Sequence, residues 1–264
     1  MSNGTIRAGI GGWTFEPWRG TFFPPGTAQA RELDYASRQF PAIEVNGTYY
    51  SSQKPATFAK WAASTPDDFI FTLKASRFCT NRKVLAEAGE SIGKFMGQGI
   101  SELGEKLGPI LWQFMPTKKF DADDFGAFLG LLPEKLGDHP LRHAVEVRHE
   151  SFCTPEFIEL TRKHKVAVVF AAHDKYPAIP DVTADFVYAR LQTAKAEQEN
   201  GYSDGELDQW VRIAKRWAGG SQPPELDAIS TVQPQHAPRD VFIFMISGDK
   251  VRNPSAAKAF IARL

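Results

Sequence analysis

What most constrains this chain is its rhythm: short apolar segments alternate with longer stretches that carry helical spacing. Eight segments qualify as strands: Ile6 to Ile10, Ala42 to Asn46, Phe69 to Leu73, Pro109 to Phe114, His143 to Arg148, Val166 to Ala171, Phe186 to Leu191 and Val241 to Ile246. Alternation of strands and helices is the signature of an α/β fold with a parallel sheet. Eight such strands in 264 residues predict a closed TIM-type (β/α)8 barrel, occupying residues 1–264 as one domain.

The intervening stretches carry helix start signals. Asp121 opens a segment with Phe125, Phe128, Leu129 and Leu132 on one stripe. Thr154-Pro155 and Asn253-Pro254 each read as an N-cap followed by proline at the first helical position. Ser203 and Glu206 match a capping box. Asp174 to Ala184 holds Pro177 and Pro180 and has no apolar stripe, so the sixth helix is predicted to be reduced or absent. Pro223, Pro224, Pro234 and Pro238 predict a long irregular loop over Gly219 to Pro238.

Strand parity then separates the barrel lumen from the helical layer, because successive side chains point to opposite faces. Ile43 and Val45 oppose Glu44 and Asn46; Val145 and Val147 oppose Glu146 and Arg148; Val187, Ala189 and Leu191 oppose Tyr188 and Arg190. The polar parity places Glu44, Asn46, Lys74, Gln113, Glu146, Arg148, Tyr188 and Arg190 inside, toward the C-terminal strand ends where barrel enzymes carry their sites. Any one pair, Glu44 with Lys74 or Glu146 with Arg148 or Arg190, could equally be a salt bridge plugging the mouth. As a set they favour a ligand site, since each buried charge costs several kcal/mol unless paired.

Three cations against two carboxylates leave that ring with one excess positive charge, which suits a small anionic or polyhydroxylated ligand. Arg148 and Arg190 offer bidentate grips for phosphate or carboxylate. Trp13, Tyr49, Tyr50 and Trp112 offer stacking faces. Glu44 and Glu146 permit general acid–base chemistry, with His149, directly after the fifth strand, as a second acid–base candidate and a loop cap as its alternative role. A metal through Glu44, Glu146, His149, His173 and Asp174 lacks any recognisable ligand spacing, so no metal residues are assigned.

Other classes are excluded or disfavoured. Lys and Arg number 31, as do Asp and Glu, which counts against a face that binds extended nucleic acid through many phosphates. Cys79 and Cys153, the only cysteines, point to a reducing, cytoplasmic setting. No apolar run approaches the roughly 20 residues of a membrane span. Gly9-Ile10-Gly11-Gly12 does not continue as a dinucleotide fingerprint, and neither a phosphate-binding GxxxxGK[ST] loop nor a GxSxG elbow is present. The cofactor therefore stays unassigned, as does the oligomeric state.

The same residues carry a resemblance. Gly12-Trp13, Trp18 and Phe22-Phe23-Pro24, then Ile43-Glu44-Val45-Asn46-Gly47-Thr48-Tyr49-Tyr50, Leu107-Gly108-Pro109, Gln113-Phe114-Met115-Pro116, Glu146-Val147-Arg148-His149 and Tyr188-Ala189-Arg190-Leu191 resemble the domain of unknown function 72 family, the YecE-like TIM barrels. The resemblance implies a TIM barrel and leaves the activity open. Three positions depart from the family pattern: Thr80-Asn81 and Arg190-Leu191-Gln192-Thr193 each lack a histidine, and Met245-Ile246-Ser247-Gly248 lacks an asparagine pair. Two functions stay open. One is a hydrolase acting on a phosphorylated or polyhydroxy substrate, with Glu44 or Glu146 as base. The other is a nucleotide or nucleic-acid binder without turnover, using the same cations and aromatic faces.

Overall fold

In the computed structural model, residues 4–264 are described. Nine parallel strand segments, β1 (Ile6–Gly11), β2 (Ala42–Val45), β3 (Ile70–Lys74), β4 (Leu107–Gln113), β5 (His143–Glu146), β6 (Ala167–Val168), β7 (Phe170–Ala172), β8 (Phe186–Leu191) and β9 (Asp240–Met245), form one sheet. Its order is β6-β5-β4-β3-β2-β1-β9-β8-β7. The two outermost segments are separated along the chain only by Val169, whose N–H still donates to Val145 O at 2.9 Å. β6 and β7 are thus halves of one strand through which the sheet closes, and the fold is a (β/α)8 barrel. Each of the eight strands expected from sequence is present, with ends shifted by at most two residues and the sixth divided at Val169.

Nine helices cover the barrel among the described residues: α1 (Glu32–Ser37), α2 (Gly47–Tyr50), α3 (Pro55–Ala63), α4 (Arg77–Thr80), α5 (Gly89–Met96), α6 (Ala122–Gly130), α7 (Pro155–Lys163), α8 (Asp204–Ala218) and α9 (Asn253–Ile261). Three start signals act as expected. Asp121 accepts from Asp124 N, Thr154 from Phe157 N, and Ser203 with Glu206 closes a reciprocal capping box. Asn253 does not cap. It is the first residue of α9 and its side chain makes no capping bond, because it is 1% exposed and turned into the protein.

No helix joins β7 to β8. Two irregular segments cover that side instead by satisfying each other's backbone. The Asp181 carboxylate accepts from Ile229 N and Ser230 N, both at 2.8 Å, and Gln222 receives Val182 N and donates to Pro180 O. The proline-rich stretch after α8 therefore replaces the missing sixth helix as a cover.

Parity sorts the strands as expected. Ile43, Val45, Phe71, Leu73, Ile110, Trp112, Val145, Val187, Ala189 and Leu191 belong to the core between barrel and helices. Trp112 is accordingly not a stacking face for a ligand. It donates through Nε1 to His143 Nδ1 at 3.1 Å and packs edge-on against Phe95 and Phe128 in the outer layer. The lumen has its own core, including Ala42, Leu111, Ala144, Val169, Phe186, Tyr188, Phe242 and Phe244. The lower barrel is thus packed with apolar groups, and the polar ring lies above it.

Candidate functional site

Register brings the polar ends of the strands to one level. Gly11 pairs with Glu44, Glu44 with Thr72, Gln113 with Glu146, and Arg190 with Phe244. At the centre is Arg190, 3% exposed. Its Nε donates to Glu44 Oε2 and its Nη2 to Glu44 Oε1, each at 3.0 Å, and its Nη1 donates to Glu146 Oε2. Both carboxylates are fully buried. A guanidinium has five N–H groups, so three are used and one remains on each terminal nitrogen.

The network extends on both sides. Tyr188, also fully buried, donates its hydroxyl to Glu44 Oε2 at 2.8 Å. Since that phenol has a single proton, Thr72 Oγ1, 2.9 Å away, is the donor to it. Burial and the Glu44 charge raise the Tyr188 pKa well above its ordinary value, so it stays a neutral donor. On the other side Arg148 Nε donates to Glu146 Oε1 at 2.8 Å, with its guanidinium 4.6 Å from the centre of the Tyr176 ring. Neither terminal nitrogen of Arg148 is hydrogen-bonded within the protein among the described residues. Burial by itself would raise the Glu146 pKa; Arg190 and Arg148 outweigh it and bring it to about 2.

Above this network lies a cavity of about 600 Å³ at the C-terminal mouth, whose wall includes Trp13, Asn46, Lys74, Gln113, Arg148, Arg190 and Gln192. Of the eleven candidates chosen from sequence, six line the cavity, namely Trp13, Asn46, Lys74, Gln113, Arg148 and Arg190, whereas Tyr188, Glu44 and Glu146 form the layer beneath it. Tyr49 stands to one side, its ring 4.2 Å from Lys74 Nζ and its hydroxyl accepting from Asn81. His149 is not brought to the cavity wall. Its Nδ1 accepts from Ser151 N at 3.1 Å and caps the turn Glu150–Phe152.

Other wall residues were not selected from sequence. Gln192 lies two residues beyond Arg190 and follows the same parity, a signal that could have found it. Lys250 and Asn253 come from the turn entering α9, where no periodicity exists to point to them. Trp61 on α3 meets Trp13 edge-on at 5.1 Å. Of the departures from the family pattern, Gln192, Ile246 and Ser247 line the cavity, while Asn81 does not.

The wall is rich in unspent donors. Gln192 is 6% exposed and its Nε2 has no partner among the described residues. Gln113 Nε2 lies close enough to Glu146 to help lower its pKa, yet makes no well-formed hydrogen bond. Lys74 Nζ has no carboxylate within 4 Å among the described residues. Among the same residues, no group of three or more His, Cys, Asp or Glu is placed to hold a metal ion, and Cys79 is buried with its thiol pushed up to about 12 by burial. Among the described residues, no helix is long and apolar enough to cross a membrane.

A parallel barrel with a donor-rich cavity over a buried Arg–carboxylate network defines a TIM-barrel protein with a polar site at the usual end. The sequence profile described as protein of unknown function DUF72 matches residues 7–264, and the chain belongs to that family. The UPF0759 protein YunF of Bacillus subtilis (strain 168) is 27% identical over 161 residues, which span 59% of this chain and 55% of that protein. Among solved structures, a DUF72 family protein from Thermotoga maritima superposes with a TM-score of 0.71 at 22% identity, covering 97% of each chain. One from Enterococcus faecalis gives 0.67 at 16%, covering 100% of each. A xylose isomerase-like TIM barrel fused to a 4-hydroxyphenylpyruvate dioxygenase shares the fold at a TM-score of 0.54 and 15% identity, over 96% of this chain and 41% of that one.

Proposed function

We propose that the mouth cavity binds a small phosphorylated or polyhydroxylated molecule and acts on it through its cations, Glu44 and Glu146 serving as positioning residues and not as general acid and base. The supporting observation is the imbalance of the wall: Arg148, Lys74 and Gln192 face the cavity, while both carboxylates lie behind Arg190 with their oxygens occupied. A general base needs contact with the proton it removes and a pKa near the working pH. Glu146, fully buried and held to about 2, has neither. A preorganised guanidinium pair suits developing negative charge on an oxygen, as in hydrolysis of a phosphate ester. A second reading, a nucleotide binder without turnover, draws on Tyr50, which lines the same cavity and is 65% exposed.

Titration calorimetry with inorganic phosphate, a hexose phosphate and a nucleoside monophosphate tests this reading. Arg148→Ala is expected to weaken phosphate binding by about 10–100-fold, the range that corresponds to a charge-assisted hydrogen bond worth about 1.5–3 kcal/mol. No binding to the unaltered protein at millimolar phosphate, or unchanged affinity in Arg148→Ala, would sink it. Release of phosphate from the hexose phosphate separates the enzyme from the binder.

A further inference from the structure

Lys74 is the one cation of the central ring that the carboxylates do not claim. It ends β3, is 6% exposed, and lines the cavity. Glu44 and Glu146 direct their oxygens to Arg190, Arg148 and Tyr188, and neither forms an ion pair with Lys74. The Tyr49 ring favours its charge from 4.2 Å. A buried ammonium with no carboxylate in ion-pair contact, beside a guanidinium, is a poor structural choice, since the more distant Glu44 and Glu146 charges do not offset its desolvation and the Arg190 repulsion. It is a good arrangement for an amine that must be neutral to react.

We propose that Lys74 captures the carbonyl carbon of a small anionic aldehyde or ketone as an imine, the anionic group of that ligand lying toward Arg148 and Gln192. This inference rests on the cavity being an anion site. The Nζ lone pair forms a C–N bond as the carbonyl π bond opens, and the carbonyl oxygen takes a proton to give a carbinolamine. The C–O bond then breaks, and the oxygen leaves as water carrying both hydrogens of the original amine. No electrons are gained or lost overall, so no oxidant or reductant is required.

The electrostatics agree with the geometry. Burial is the largest influence on Lys74 and Arg190 the next, both lowering its pKa; Glu44 and Glu146 oppose them, and Arg148 lowers it further, leaving a value of about 8. At pH 7.5 that leaves roughly one amine in four neutral, against about one in a thousand for an unperturbed lysine.

Reductive trapping tests this on the 264-residue chain. The protein is incubated with pyruvate or with pyridoxal 5′-phosphate and cyanoborohydride, and the adducts are mapped by mass spectrometry. Lys74 is expected to be modified at least tenfold faster than any other lysine, with a rate that rises to a midpoint near pH 8 and is suppressed by inorganic phosphate. Lys74→Arg and Lys74→Met should each remove that adduct and leave slow labelling elsewhere. Adducts spread over exposed lysines, with Lys74 no faster than the rest, would overturn the proposal, and they would do so even if calorimetry finds phosphate bound. Rapid Lys74 labelling that phosphate does not compete with upholds the lysine and removes the anion site instead.

Discussion

Replacing Glu146 by Gln keeps the side chain's shape and removes its charge from the centre of the network. Because Arg190 and Arg148 hold this carboxyl at about 2 in the folded protein, against an ordinary 4.5, ionisation of Glu146 stabilises the fold. At about 1.4 kcal/mol per pH unit, the separation corresponds to about 3 kcal/mol. The folded value lies below the unfolded one, so the contribution is complete above pH 4.5 and is lost as the pH falls toward 2. Glu146→Gln should therefore cost about 3 kcal/mol at neutral pH, or roughly 6–12 °C in Tm for a domain of this size. The cost should shrink steadily between pH 4.5 and 2, where the unaltered protein also becomes neutral at this position. Urea unfolding of both proteins across pH 7 to 2.5 isolates the effect, since other carboxylates titrate alike in the two. A stability difference that stays constant with pH would refute the claim that the arginine pair holds Glu146 ionised.

Three further outcomes follow from neighbouring geometry. Tyr188→Phe removes the donor to Glu44 and leaves Thr72 without its acceptor; stability should fall by about 1–3 kcal/mol in chemical denaturation, while phosphate affinity changes less than threefold, because the phenol lies below the cavity. Gly248 has φ +58°, and an added Cβ would lie 2.5 Å from the backbone N and O of Ala194; Gly248→Ala should cost about 1–3 kcal/mol and weaken phosphate binding through Ser247, and a neutral melting result would show that the turn relaxes freely. Ser203→Ala breaks the capping box of α8 and should lower stability by about 1 kcal/mol with no effect on ligand binding, a combination that thermal melts and calorimetry check together.

Much of this molecule was legible without coordinates because its signals are local. Strand parity depends only on neighbouring residues, so it separated Glu44, Lys74, Gln113, Glu146 and Arg190 from Ile43, Leu73, Val145 and Ala189. The proline pair at 177 and 180 marked the missing helix, and Ser203 with Glu206 marked the start of α8. Parity assigns a face, though, and a face can be either lumen or helix layer until the barrel closes. Trp112 could be placed outside only by the parity it shares with Ile110, a rule that its aromatic ring had overridden when it was considered as a stacking surface.

The pairing of the charges was decided by tertiary structure alone. Glu44 and Arg190 are 146 residues apart, and any of three cations could have met either carboxylate. Closure through β6 and β7 sets the stagger that carries Arg190 between the two glutamates and leaves Lys74 beside them unpaired. Coulomb energy in a buried site depends on distances of a few ångströms, and such distances between remote strands are properties of the closed barrel. The same holds for Lys250 and Asn253, which reach the cavity from an irregular turn. What the amino-acid order determined was the set of side chains that share a face; what closure determined was which of them are spent on one another and which remain free to meet a ligand.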